Sequence, residues 1–206
     1  PGVLADLELE LQRLADGRRA RDPDELTDLL RGLGPLTREE ADARSDGPGA
    51  DWLDQLVAAT RVIKGSVAGE ERYAAAEDAS RVRDALGLAL PQGLPQAFTD
   101  PVERPLVDLV ARYAHTHGPF LTRHVAQRLG VRVEPAQLAL EALEGEGRVV
   151  RGEFRPDGIE REWCDEDVLR TLRRRSLAVL RKEVEPVDGV ALARFLPAWQ
   201  GVGVPR

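Results

Sequence analysis

The sequence predicts an α+β fold, mostly helical, in which one unit of three helices and a β-hairpin occurs twice. The same order of helical and extended patterns is found in both halves, and each copy has a Gly-Pro break after its first helix, at 34–35 and at 118–119. Three helices leave an open apolar face that a hairpin can cover. This is the plan of a winged helix, and we expect two tandem winged-helix domains with short β-hairpin wings.

The helices of the first unit are predicted from apolar periodicity and one capping pattern. Leu26 and Leu29 lie on one face of a first helix, together with Leu30. Thr37 and Glu40 fit a capping box, which begins a short second helix. Apolar residues at helical spacing predict the third helix: Trp52, Leu53, Leu56 and Val57.

The second unit repeats this order of helices. Thr122 is the expected N-cap of its short second helix, without the acidic partner of a capping box. Apolar residues predict its first and third helices: Leu106, Leu109, Val110 and Tyr113 in one, and Leu138, Leu140 and Leu143 in the other.

A hairpin is predicted after each third helix, with first strands at 61–67 and 148–154. Each returning strand ends in an aromatic residue that would seal the edge of the core, Tyr73 or Trp163. The turns are expected at Gly69 and at 156–158. The acids expected to cap the helices that follow are Asp78 and Asp165.

Domain boundaries follow from these units and from the placement of proline. Four prolines between the two units indicate a linker. The predicted divisions are a connecting helix at 1–22 carrying Leu4, Leu7, Leu11 and Leu14, a first module at 23–88, a linker at 89–105, a second module at 106–183, and the start of a further, truncated module at 184–206.

Composition limits the class of protein. The 206 residues carry 29 Lys and Arg against 36 Asp and Glu, a net charge of −7. No apolar run approaches the roughly 18 residues that span a bilayer, so we expect no membrane contact and a cytoplasmic location. Cys164 is the single cysteine, which excludes an intrachain disulfide framework. The absence of Met and the start at Pro1 suggest a piece of a longer protein.

No enzymatic motif is found. The chain lacks the P-loop, H-E-x-x-H and G-x-S-x-G patterns, so we predict no catalytic, cofactor-binding or metal-binding residue. His115 and His117 end a helix, where solvated histidines are expected. Cys164 follows a strand aromatic and is expected to be buried as a small apolar residue.

The third helices are unsuited to reading DNA bases, although that helix enters the major groove in many winged helices. They carry acids that would repel phosphate: Asp51 and Asp54 in the first, and Glu134, Glu141, Glu144 and Glu146 in the second. Protein packing is the better interpretation of both helices.

The helix predicted from Asp165 to about Lys182 is the candidate for nucleic-acid binding. Four cations fall within one arc of about 100°, with Lys182 beside them: Arg170, Arg173, Arg174 and Arg181. The residues expected on the opposite, buried side are Val168, Leu169, Leu172, Val179 and Leu180. This face predicts contact with the phosphate backbone without sequence choice. Alternatively, it is a solvated face or pairs with the acidic first half.

The second hairpin adds a weaker basic signal, because its arginines alternate with acids. The hairpin candidates for nucleic-acid contact are Arg148, Arg151 and Arg155.

Five stretches carry a family resemblance. They are HGPF at 117–120, LEGEGRVVRGEFRPDG at 143–158, REWCDEDVLR at 161–170, RRRSLAVLRKEVEPV at 173–187 and ALARFLPAWQGV at 191–202. Together they resemble the C-terminal region of bacterial large helicase-related (Lhr-type) proteins. The first unit, with GPLTREEADAR, is similar to the same region.

The resemblance implies an ATP-dependent superfamily 2 DNA helicase linked to DNA repair. It implies that ATP and Mg²⁺ bind in motor domains outside this chain, and that this fragment holds no cofactor and is non-catalytic alone. The implied partners are single-stranded DNA or an RNA:DNA hybrid and other domains of the helicase. The Lhr-type extension is similar to winged-helix DNA glycosylases, and any such chemistry is expected beyond Arg206.

Two other functions remain open. The modules could be purely structural, forming a homo-oligomer through their acidic third helices and apolar faces. They could also be an independent transcription regulator, which the acidic third helices argue against.

Overall fold

The computed structural model describes residues 2–155 and 160–183, with backbone alone at 182 and 183. The predicted turn at 156–158 and the predicted further module at 184–206 lie outside the described residues. The helices are α1 Gly2–Leu11, α2 Pro23–Leu33, α3 Arg38–Ala43, α4 Gly49–Ala58, α5 Ala79–Leu86, α6 Gln96–Thr99, α7 Pro105–His115, α8 Thr122–Leu129, α9 Val133–Gly145 and α10 Glu166–Glu183. The strands are β1 Val62–Val67, β2 Glu70–Ala75, β3 Val149–Gly152 and β4 Glu162–Asp165.

The two predicted winged helices are both present. In the first, α2, α3 and α4 precede the hairpin β1–β2; in the second, α7, α8 and α9 precede β3–β4. Both hairpins are antiparallel two-stranded sheets. Each helical trio buries its apolar face against its own hairpin, so each unit has its own core cluster.

Equivalent aromatics seal the two hairpins. Tyr73 exchanges two backbone hydrogen bonds with Leu36, at 3.0 and 2.7 Å. Trp163 makes the same exchange with Phe120, at 2.9 and 2.8 Å. Both partners lie just before the second helix of their unit, and both aromatics are about 1% exposed. The predicted sealing role is therefore confirmed in the same place in each copy, but the strands do not end at these aromatics, since they continue to Ala75 and Asp165.

Side chains cap the first two helices of the first unit, and the cap of the second is the predicted capping box. The side chain of Asp22 accepts from the backbone N–H of Glu25 at 2.8 Å and caps α2, which has Pro23 at its first position. Thr37 and Glu40 form both hydrogen bonds of the capping box of α3, at 3.2 and 2.9 Å. The start of the short helix is thus fixed by its own residues.

Three predicted features of helix ends are wrong. The first helix ends at Leu11, because the chain turns at Arg13 with a φ of 58°, so Leu14 is not on it. The side chain of Asp78 makes no capping hydrogen bond to α5; two arginines take it instead. Thr122 begins α8 but does not cap it, since its hydroxyl bonds to other side chains.

Asp165 behaves as predicted. Its Oδ1 accepts from the backbone N–H groups of Asp167 and Val168, at 2.9 and 3.1 Å. It therefore caps the start of α10.

The segment predicted as a linker packs on the first unit. Leu88 is buried against the back of the first hairpin, close to Gly65, and the side chains that pack with it are Leu86, Leu90, Leu94 and Phe98. These residues form a separate apolar cluster with Ile63 and Val82. The Pro-rich stretch is thus attached along much of its length.

The chain divides into two compact units, Pro1–Leu172 and Arg173–Arg206. Both winged helices belong to the first unit. No helix in the described part of the chain is long and apolar enough to cross a membrane.

Candidate nucleic-acid interface

The arginines of α10 differ in their partners. Arg170, which belongs to the first compact unit, donates to Asp167 Oδ1 at 2.7 Å and lies 3.4 Å from Glu166 Oε1. The side chains of Arg173, Arg174 and Arg181 are exposed and form no ion pair with the described residues. Three predicted cations are therefore available to an external anion, while Arg170 is engaged locally.

The opposite side of α10 is apolar as predicted, but its burial ends early. Val168 and Leu169 are buried with Cys164 and Leu7. Val179 is 40% exposed and Leu180 is 56% exposed, so the prediction that they are buried is wrong. Both residues belong to the second compact unit, which begins at Arg173.

The second hairpin uses its arginines within the fold. Arg148 lies 3.7 Å from Glu146, and the guanidinium of Arg151 lies 5.2 Å from the ring centre of Trp163. Arg155 lies 3.0 Å from the buried carboxylate of Glu162 and donates to the backbone oxygen of Pro119 at 2.9 Å. All three remain exposed in part. Their predicted contact with nucleic acid stays a prediction.

The third helices present acid, as the sequence predicts. The acids of α9 are exposed, namely Glu134, Glu141 and Glu144, and so are Asp51 and Asp54 of α4. Asp54 is held by Arg38 at 2.5 Å. A negative face at this position would repel a phosphate backbone.

A buried carboxylate joins the two winged helices. Asp78, at the start of α5, is 4% exposed. Both of its oxygens accept from Arg112 of α7, at 2.5 and 3.0 Å, and Oδ1 also accepts from Arg81 at 3.0 Å. Arg81 in turn donates to Asp108 of α7 at 3.0 Å. A forked arginine fixes angle as well as distance, so α5 and α7 are held in one orientation.

A second forked arginine joins α8 to the first winged helix. Arg128 donates to both oxygens of Glu40, at 2.6 and 2.9 Å, and to the backbone oxygen of Pro35 at 2.9 Å. Burial acts to raise the pKa of Glu40, but the hydrogen bonds from Arg128 and from the N–H of Thr37 outweigh it, and the pKa is lowered from 4.5. The capping glutamate of α3 therefore also binds the second winged helix.

The turn of the first hairpin contacts the second winged helix. Ala68, at the tip of the turn, has a φ of 55°, and its backbone lies against Gly130, which ends α8 with a φ of 65°. A Cβ at Gly130 would lie 2.7 Å from the Ala68 nitrogen. The first wing is therefore used as a contact between modules, at the turn that joins α8 to α9.

The stretch after α1 connects the two winged helices. Arg44 of the first winged helix donates to the backbone and side-chain oxygens of Gln12, both at 2.8 Å. Gln12 donates to the backbone oxygen of Thr116 in the second winged helix at 2.6 Å. One glutamine thus connects a buried arginine to the end of α7.

His117 is half-buried, so the prediction that it is solvated is wrong. It stacks on Tyr113 with ring centres 3.7 Å apart, and its Nδ1 lies 2.8 Å from the Tyr113 oxygen, to which it must donate. Burial lowers the pKa of His117 to about 4, because the charged imidazolium would lose water. Its neighbour His115 is exposed, 3.3 Å from Asp165. Cys164 is buried, as expected.

The contacts between the two winged helices leave little trace in the sequence. Asp78, Arg112 and Arg128 lie on or beside amphipathic helices, where a charged residue is normally solvated. Gly130 is a visible helix terminator, but its close contact depends on a turn far away in the chain. Among the described residues, no group of three or more His, Cys, Asp and Glu is placed to hold a metal ion.

The comparisons with known proteins agree with this architecture. The family model described as "Large helicase-related protein, winged-helix domain" matches residues 1–101. A protein of Mycolicibacterium smegmatis named "Lhr helicase/ probable uracil glycosylase" is 48% identical over 205 residues, which is 98% of this chain. One of Escherichia coli named "Lhr helicase/uracil glycosylase" is 37% identical over 206 residues, again 98% of this chain.

This chain belongs to the Lhr family. The match covers 14% of the length of the M. smegmatis protein and 13% of the E. coli protein, so the chain corresponds to a small part of much larger Lhr relatives. The crystal structure of RV1404 from Mycobacterium tuberculosis aligns with 64% of this Lhr chain and 85% of its own, at 19% identity and a TM-score of 0.30.

Proposed function

We propose that this chain is a non-catalytic, tandem winged-helix scaffold within an ATP-dependent Lhr-type DNA helicase of DNA repair, working in the cytoplasm. It holds DNA by its backbone, as a single strand or an RNA:DNA hybrid, and it packs against other domains of the helicase. ATP and Mg²⁺ act in motor domains elsewhere in the parent. The names of both relatives support the helicase part of this proposal.

One observation carries the DNA-binding part. Arg173, Arg174 and Arg181 lie on one side of a regular helix, and all three side chains are exposed without an ion pair to the described residues. Arginines in such a row bind successive phosphates and give no preference for sequence. The acidic third helices support the same conclusion, since they favour contact outside the major groove.

The scaffold part is supported by the contacts between the two winged helices. Three arginines that could have met phosphate are instead held by carboxylates across that contact: Arg81, Arg112 and Arg128. The pair of modules is thus built to keep a fixed geometry.

A salt titration tests DNA binding. We expect Arg174→Gln with Arg181→Gln to weaken binding to single-stranded and duplex DNA and to reduce the slope of log affinity against log salt by about 1.4–1.8, because each lost phosphate contact removes about 0.7–0.9. The control is Arg18→Gln with Arg132→Gln, two exposed arginines that do not belong to α10. Fluorescence anisotropy at low and moderate salt measures both pairs.

Two results would reject this function. One is no binding at low salt; the other is an unchanged slope in the α10 variant. A defined oligomer seen by light scattering, together with no affinity for DNA, would favour the purely structural alternative.

A further inference from the structure

A cavity of about 320 Å³ opens in the first compact unit, where α1 crosses the loop between α7 and α8. Leu4, Ala5 and Glu8 of α1 form one wall. Arg155 lies at the cavity as well. The volume falls within the range of small-ligand sites, about 300–1,000 Å³. Nothing in the scaffold function described above uses this cavity.

The opposite wall is built from rings. The chain has two Tyr and three His, and one Tyr and two His line this cavity: Tyr113, His117 and His124. Phe120 completes the wall, edge-on to Tyr113 with ring centres 5.0 Å apart. Tyr113 and His117 are stacked within 13° of parallel. Tyr113 and Phe120 are buried and hold the wall in place, while His117 and His124 remain exposed in part. Such rings favour a planar aromatic ligand, because ring faces and edges attract one another.

One carboxylate supplies the polar group of the cavity. Oε2 of Glu8 accepts from the backbone N–H of Gly118 at 2.6 Å, which fixes the side chain. Oε1 makes no hydrogen bond within the described ranges 2–155 and 160–183. A carboxylate oxygen accepts hydrogen bonds, so the cavity selects a ligand with an N–H donor.

A positive charge lies close to this acceptor. Arg155 is bound to Glu162 and to the Pro119 oxygen, and its side chain is still 48% exposed. An arginine held in this way can donate its remaining N–H groups to a phosphate. The cavity therefore combines an aromatic wall, an acceptor and a phosphate-binding cation.

We infer that this cavity binds one unpaired nucleobase that carries an exocyclic amino group, within a single strand held by the scaffold. The base packs on the aromatic wall, its amine donates to Glu8 Oε1, and a neighbouring phosphate meets Arg155. Guanine, adenine and cytosine have this amine. Uracil and thymine offer only the imide N3–H, which lies between two carbonyl oxygens that the carboxylate repels. The inference rests on the proposed single-strand binding.

Gly118 keeps the carboxylate in place. A Cβ at this position would lie 2.6 Å from Glu8 Oε2 and 2.8 Å from Leu4 Cδ1. Both atoms are the ends of flexible side chains, so Gly118→Ala moves Glu8 without a large change elsewhere. It is a second variant that perturbs the cavity from the other side.

The test uses oligo-dT strands that differ in one central nucleotide, with the full 206-residue chain. We expect strands with one dG, dA or dC to bind about tenfold tighter than the all-dT strand or one with dU, the effect of one hydrogen bond to a charged group. Glu8→Gln should invert the preference, because an amide nitrogen donates to the carbonyl of uracil. Gly118→Ala should remove it. Asp6→Asn, exposed on the same helix and outside the cavity, should leave it unchanged.

Two results would overturn the inference: equal affinity for all five strands, or an unchanged preference in Glu8→Gln. Loss of the proposed backbone binding is recognised separately, because it removes binding of every strand. In that case GMP against UMP, by calorimetry, still tests the cavity. GMP binding without any strand binding would overturn the single-strand part.

Discussion

At the scale of single residues, Gly130 shows how one position can have two duties. It ends α8 in the left-handed region, and it leaves room for the backbone of Ala68. We expect Gly130→Ala to lower the free energy of unfolding by about 1 kcal/mol for the backbone strain and by roughly a further 1 kcal/mol or more for the clash. Urea unfolding measures the sum.

Gly147 is the matched control for this substitution. It has a φ of 70°, and a Cβ added there would meet no atom within 4 Å, so Gly147→Ala carries the strain alone. If the two variants lose the same free energy, the contact between Ala68 and Gly130 contributes nothing.

His117 makes stability depend on pH. Its pKa is lowered from 6.5 to about 4 in the folded chain, so the unfolded chain binds a proton first as the pH falls. The stabilisation is fully present above pH 6.5 and decreases towards pH 4, by up to about 3 kcal/mol. His117→Gln should remove this contribution, so its free energy of unfolding should fall less than that of the native chain between pH 6.5 and pH 4. Urea unfolding of both proteins at several pH values measures the difference.

The control for His117 is the opposing group beside it. Burial raises the pKa of Glu8, partly offset by Gly118 and Arg155, and this acts in the opposite direction as the pH falls. Comparison with Glu8→Gln separates the two. A His117→Gln curve parallel to that of the native chain would refute the prediction.

Residues whose role is local can be predicted from the sequence, and the others cannot. Thr37 and Glu40 form their capping box because both partners are three positions apart. Asp78 carries the same local signal, but arginines from α5 and α7 hold it more strongly than a helix terminus can. His117 is partly covered by a tyrosine one helical turn earlier and by Gln12, which is 105 positions away.

At the scale of elements, a buried hydrogen bond joins the second hairpin to α8. The indole N–H of buried Trp163 donates to Thr122 Oγ1 at 3.0 Å. Thr122→Val removes the acceptor and leaves the N–H unsatisfied, so we expect a loss of about 1–3 kcal/mol in thermal or urea unfolding. Thr122→Ser keeps the hydroxyl and should retain most of the stability. An unaffected Thr122→Val protein would contradict this role.

The elements themselves are predictable because their patterns are local. Period-3.6 leucines, Gly-Pro breaks and strand aromatics specify the order of helices and hairpins in both copies. The sequence misplaces the end of α1 because Leu14 continues the periodicity after the chain has already turned. It also misplaces the burial of Val179 and Leu180, because periodicity identifies an apolar face but does not supply the surface that covers it.

At the scale of the whole molecule, Asp78 couples the two winged helices. Its removal in Asp78→Ala leaves partly buried Arg112 without its carboxylate and Arg81 with Asp108 alone, which costs about 3–5 kcal/mol. We expect calorimetry to show one cooperative transition in the native chain and two in the variant.

Asp28→Ala is the control for that experiment. It also removes a partner of an arginine, Arg31, but at an exposed site within one helix. Its transition should stay single. Two transitions already in the native chain would show that the contact between the modules is weaker than the geometry implies.

The arrangement of the two modules is beyond the reach of sequence patterns. The forks of Arg112 and Arg128 join residues 34 and 88 positions apart, and nothing in the local pattern of either helix marks such a partner. The cavity beside Glu8 has no local signal for the same reason, because its walls come from α1, from the loop after α7 and from the second hairpin. The basic side of α10 is predictable because all its members lie on one helix.

The contact at the tip of the first hairpin has an evolutionary consequence. Surface turns are normally where a fold accepts extra residues at little cost. Here the turn that a solitary winged helix could lengthen freely packs against Gly130 of the neighbouring winged helix. Insertions should therefore be rarer between Val67 and Glu70 than at Gly147, because a longer turn would disrupt the contact between the two modules.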